Sequence, residues 1–211
     1  MNVPTPEQIP DLSRLKPNSI QAILQHYFNS AGPTDYRAYA LWMNTIRLGD
    51  LCLREYQSAR AALMAWYTED SQAKIANVLR ASGHFEACIS ATERMLRHVK
   101  ALRSTFFVEK SLKQLLPKNL LLLRGDQERL LIDMRDAITH FEGLLLKGEI
   151  PEGSSLSVVA NADQLEIGDF KIPIKRFADW ITELHACARR LSDYNPGADV
   201  GERADGSGLK E

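Results

Sequence analysis

The sequence predicts a mainly α chain, an antiparallel helical bundle with a small antiparallel β-meander before the last helix. Three observations carry that expectation. Apolar residues recur at three- and four-residue spacing through four long stretches, near 34–68, 70–103, 126–147 and 173–194. Before the last stretch the period drops to two: Leu156, Val158 and Ala160, then Leu165 with Ile167, then Phe170 with Ile172, alternate with polar residues. Proline, glycine and Asn/Asp pairs separate these stretches.

Residues 1–17 hold Pro4, Pro6, Pro10 and Pro17. A residue that fixes φ and lacks an N–H disfavours a packed helix, so an extended arm is expected there. Residues 18–194 are expected to form one helical domain. Its first helix spans about Asn18 to Ser30 and is closed by Gly32-Pro33. Thr34 and Asp35 offer caps for a long helix to about Thr68, with Leu41, Thr45, Leu48, Cys52, Tyr56, Ala59, Leu63 and Trp66 on its stripe. A third runs from about Asp70 towards Arg103, where Gly83 marks a kink or a break. Over Ser104–Arg124, the apolar Phe106, Phe107, Leu112, Leu115 and Leu116 suit a short helix that Pro117 ends. A helix over Asp126–Lys147 follows. Asn161-Ala162-Asp163 and Gly168-Asp169 then supply the turns of a meander at about 155–172, the second short enough for a two-residue hairpin. Pro173 opens the last helix, with Ile174, Phe177, Ile181, Leu184, Ala188 and Leu191 on one face. The tail, residues 195–211, is rich in Gly, Asp and Ala and is expected to be disordered.

At 211 residues the chain suits a single core. No apolar run reaches the roughly 18–20 residues of a spanning helix and no secretory pattern opens the chain, so the cytoplasm is expected and no membrane. Cys52, Cys88 and Cys187 are odd in number, and each lies inside an apolar stripe. Buried free thiols are expected rather than a disulfide framework or a zinc site. A net charge of −1 argues against a generic nucleic-acid coat, yet the charge is unevenly placed. Arg94 to Arg124 carries eight Lys or Arg and one acid, Glu109, whereas Gly125 to Phe170 carries ten acids against Arg129, Arg135 and Lys147. The basic stretch either attracts phosphate or is a solvated helix face. His84, His98 and His185 form no metal set, and Glu86 and Glu93 lack the Glu-x-x-His partners of a di-metal bundle. A nucleophile elbow and a phosphate-cradling Gly-rich loop are both missing. Trp42, Trp66 and Trp180 lie in helical stripes as core or interface residues.

On the helix over Asp126–Lys147, Leu130, Leu131, Met134, Ala137, Ile138, Phe141, Leu144 and Leu145 fall on one arc at about 100° per residue. Arg135 lies just beyond one border of that arc and His140 beyond the other. Ile132, Asp136, Thr139, Gly143 and Leu146 lie between them on the outer side. Residues five apart diverge by about 140°, so one helix cannot easily grip a small ligand with both. A second copy across a two-fold cleft would solve this. Asp136 and His140 are spaced i,i+4, within reach for the carboxylate to orient the imidazole.

The string Met134-Arg135-Asp136-Ala137-Ile138-Thr139-His140 resembles the Arg-x4–6-His signature of HEPN domains. That pattern is an arginine, a following polar residue, and a histidine five to seven positions after the arginine. At bundle level the resemblance spans roughly residues 34–194, with the meander as an elaboration outside the common core. It implies a metal-independent endoribonuclease without a cofactor, acting as a homodimer on an RNA substrate. The family's toxins and phage-defence or stress effectors further imply an antitoxin or defence partner protein. By that resemblance His140 is the general base or acid, Arg135 holds the phosphate, and Asp136 orients His140 or makes a polar contact in the cleft. Arg94, Arg97, Lys100 and Arg103 are candidates to guide the RNA backbone. Substituting Arg135 or His140 by alanine is then expected to abolish cleavage with the fold intact. The competing reading is a non-catalytic helical dimerisation, scaffold or regulatory module.

Overall fold

A computed structural model describes residues 2–29, 32–148 and 157–196. Within these the chain is mainly helical, with α1 Ser19–Asn29, α2 Tyr36–Ala65, α3 Ser71–Ser104, α4 Lys110–Leu115, α5 Gln127–Leu146 and α6 Ile174–Ser192. A three-stranded antiparallel sheet precedes α6, with β1 Val159–Asn161, β2 Gln164–Ile167 and β3 Phe170–Pro173 in the order β1-β2-β3. Leu156 and Ser155, expected at the start of the meander, and most of the expected tail lie outside the described residues.

The frame is the pair α2 and α3. Asp35 caps α2 by accepting from the N–H groups of Arg37 (2.8 Å) and Ala38, and Asp70 caps α3 by accepting from Ala73 N. The two helices run antiparallel: the Cys88 thiol donates to Cys52 O, His84 meets Glu55 and His98 lies beside the backbone of Leu41. Each step forward on one helix is a step back on the other. Trp42, Tyr56 and Phe85 are fully buried between them and α6. Gly49 lets α6 approach closely, because a Cβ there would lie 2.8 Å from Ala188 Cβ and 3.3 Å from Met95 Cε. Trp42 Nε1 donates to Leu191 O at 2.8 Å and ties the end of α6 to α2.

Gly83 does not break the third helix, which runs unbroken from Ser71 to Ser104. A single glycine costs about 1 kcal/mol relative to alanine, and burial of Ala81, Phe85 and Cys88 against α2 outweighs it. The first meander turn is also tighter than expected. Asn161 pairs with Gln164, so Ala162 and Asp163 alone make the turn, and Ala162 takes a φ of 52°. Asn161, the residue better suited to that conformation, instead accepts a hydrogen bond from Asn2 N at 2.9 Å. Residues 2–17 lie along α2, held by their carbonyls: Tyr56 Oη donates to Pro10 O, Gln57 Nε2 to Leu12 O and Arg60 Nε to Ile9 O. Ile9 and Leu12 are buried beneath this strap.

Candidate functional site

Helix α5 packs its first half on α3 and the sheet. Leu131, Met134 and Ala137 are buried, and Leu130 and Ile138 are partly covered. The arc predicted from periodicity then stops facing protein. Leu145 is 50% exposed and Leu146 88%, so the expected core stripe ends near Ile138. Beyond Ile138 only Phe141 is partly covered among the described side chains of α5. The side chain of Leu144, expected on the same arc, lies outside the described residues.

Arg135 sits at the α3 border and is mostly covered. Its Nη1 pairs with Asp136 Oδ1 at 2.8 Å, and its Nε lies 3.8 Å from Glu93 Oε2. Glu93 is a buried carboxylate on α3, and Arg97 grips it with two nitrogens, Nε at 2.6 Å and Nη2 at 2.7 Å. One carboxylate thus lies between two guanidinium groups, and Asp136 closes the row. Burying a charge is tolerated only when it is paired, and this row is what pairs Glu93. Asp136 therefore addresses Arg135 in the structure. His140 is exposed and, among the described residues, makes no hydrogen bond or ion pair. Thr139 and Gly143 beside it are exposed as well.

The four basic candidates of α3 do not form one track. Positions three apart turn back by about 60° per step, which sets Arg94 and Arg103 on opposite sides of the helix. Arg97 holds Glu93, Lys100 pairs with Glu128 at the start of α5, and Arg103 has a buried Nη2 without a hydrogen-bond partner among the described residues. Arg94 is exposed and pairs with no carboxylate among the described residues. It lies instead near His98, whose imidazole burial and the Arg94, Arg97 and Arg47 charges hold below its ordinary value.

Glu93 is the residue beside the motif that the sequence reading did not bring to it. Its signal was present, as an acid immediately before Arg94 and four residues before Arg97, beside the apolar stripe of the third helix. A groove of about 470 Å³ lies elsewhere, at the start of α6, lined by Leu121, Arg124, Gln127, Lys175, Arg176 and Trp180. From Gln127 to Arg135 is about 12 Å of helix, so the groove is separate from the motif. The thiols are buried, and burial pushes Cys52 up to about 12 and Cys187 up to about 11. Among the described residues no group of three or more His, Cys, Asp or Glu is placed to hold a metal ion, and no helix is long and apolar enough to cross a membrane. Compared with protein families, with curated proteins and with solved structures, the chain has no significant match.

Proposed function

We propose that this chain is a HEPN-like, metal-independent endoribonuclease working as a homodimer, its helices an antiparallel bundle of that family's kind. Two copies of α5 face each other across a polar cleft. The observation that carries the reading is the placement of Arg135 and His140 on one helix whose outer side is open from Thr139 onward. Histidine is the side chain that gains and loses a proton near neutrality, and an exposed imidazole is free to meet a ribose. His140 takes the proton of the 2′-hydroxyl as the 2′ oxygen bonds to the adjacent phosphorus. The bond from phosphorus to the 5′ oxygen breaks, and the partner's His140 returns a proton to that oxygen. A 2′,3′-cyclic phosphate and a 5′-hydroxyl result. Arg135, which lies beside Glu93, stabilises the charge that gathers on the phosphate. Asp136, about half exposed, is the carboxylate that phosphate displaces from the guanidinium. By the same resemblance the enzyme is a cytoplasmic toxin or phage-defence or stress effector, restrained by an antitoxin or defence partner protein.

A second reading is supported by the row Arg97–Glu93–Arg135–Asp136. It gives Arg135 a structural task, locking α5 to α3, and leaves the chain as a non-catalytic dimerisation or scaffold module. The two readings separate in one assay. The purified chain is incubated with single-stranded RNA in EDTA, beside His140→Ala. Cleavage by the wild type and none by the variant supports the enzyme, whereas intact RNA in both supports the scaffold.

A further inference from the structure

Helix α1 carries its apolar residues on the outside. Ile20, Ile23, Leu24, Tyr27 and Phe28 recur at three- and four-residue spacing, the pattern of a buried stripe, yet they are 66%, 42%, 50%, 79% and 80% exposed. On the other side Ala22 is fully buried, and the helix is anchored rather than loose. Asp50 of α2 accepts from Asn18 N and Ser19 N, both at 2.7 Å, and Gln21 Nε2 donates to Asp193 at 2.8 Å. The apolar stripe is therefore held out on a fixed support.

Two properties of the stripe say what covers it. The first is area. At about 200 Å² for a large side chain, those exposures amount to roughly 600 Å² on one helix, at the top of the range for the largest patch of a monomer. Two such faces together reach about 1,200 Å², the lower bound of a stable protein interface. The second is charge. Ser19–Asn29 contains no Asp, Glu, Lys or Arg. Within the helix itself an acidic or basic partner finds no complement, and the charges in the groove beside Ile20 (Arg47, Asp50 and Arg54) are of both signs. A matching uncharged apolar face exists on a second copy of this chain. The stripe is also graded, aliphatic at Ile20 and Ile23 and aromatic at Tyr27 and Phe28. An antiparallel pair about a two-fold sets the small end of one helix on the large end of the other, with Leu24 near the axis.

We infer that α1 is a homodimer interface, formed by two α1 helices packed antiparallel through this stripe. It is distinct from the outer side of α5 and stands independently of the nuclease reading. The test is the mass of the full chain in solution by analytical ultracentrifugation at about 100 µM, well above a micromolar dissociation constant. Leu24→Glu places two like charges against each other near the axis, and Tyr27→Glu, as a second site, sets a charge against the aliphatic end of the other helix. Each halves the mass of the wild-type assembly, from dimer to monomer or, where α5 also pairs, from tetramer to dimer. An equimolar mixture of Leu24→Glu with Leu24→Lys regains the wild-type mass. Circular dichroism melting curves matching the wild type identify folded variants. The proposal is overturned by a monomeric wild type, whether residues 197–211 or phosphatidylcholine vesicles cover α1 instead, or by folded variants of unchanged mass. Loss of RNA cleavage alone leaves these masses unmoved, so the two proposals fail separately.

Discussion

At the scale of single residues the motif divides into a buried end and an open end. Arg135 lies beside the buried Glu93, which Arg97 holds, and His140 makes no hydrogen bond or ion pair among the described residues. Their substitutions are therefore expected to differ in what they cost the fold. Arg135→Ala leaves Glu93 with Arg97 as its cation and costs about 1–3 kcal/mol, the usual loss for a weakened buried polar partner. His140→Ala is expected to melt within about 0.5 kcal/mol of the wild type, as exposed substitutions do. Urea titration of both variants checks this contrast. Adding Glu93→Gln to Arg135→Ala is expected to recover part of the loss, since the buried charge is then gone. Periodicity made the border positions of Arg135 and His140 legible. It could not reveal Glu93 as partner, because a helical wheel orders residues on one helix and says nothing of the register between two.

Among the elements, α2 and α6 approach through a gap the size of a glycine. Gly49→Ala forces a methyl against Ala188 and Met95, and overpacking of this kind costs about 1–3 kcal/mol. A lowered urea midpoint with an unchanged slope is the expected result, and an unaltered midpoint would show that the helices yield. The existence and order of the helices and of the meander were legible, because each has a period of its own and Asp35, Asp70 and Pro173 mark starts. Gly83 misled, since a local propensity of about 1 kcal/mol is small beside long-range packing. Leu145 misled for the converse reason: amphipathic spacing names a face but not what stands opposite it. The stripe of α1 makes the same point, apolar by pattern and open in the structure.

For the whole molecule, pH acts through His98. Its folded value lies below the ordinary 6.5 because burial and the Arg94, Arg97 and Arg47 charges disfavour the imidazolium. The unfolded chain then binds the extra proton as pH falls through 6.5, so stability is full above that value and declines below it. Melting temperature is expected to fall between pH 7 and 5.5, less steeply in His98→Gln. Asp35, held down to about 2 by its hydrogen bond from Arg37, adds a loss only in stronger acid. The uneven charge along the sequence pointed to a basic surface, yet folding sets Lys100 on Glu128 and Arg97 on Glu93. A charge count along a chain cannot anticipate such pairing across helices.

The central claim is that α5 presents His140 for transesterification of RNA. It is tested most directly by mass spectrometry of RNA ends after incubation with the purified full chain in EDTA. The account predicts 2′,3′-cyclic phosphate and 5′-hydroxyl ends from the wild type and intact RNA from His140→Ala at an unchanged melting temperature. Intact RNA from the wild type, or the same ends from the folded variant, would contradict it.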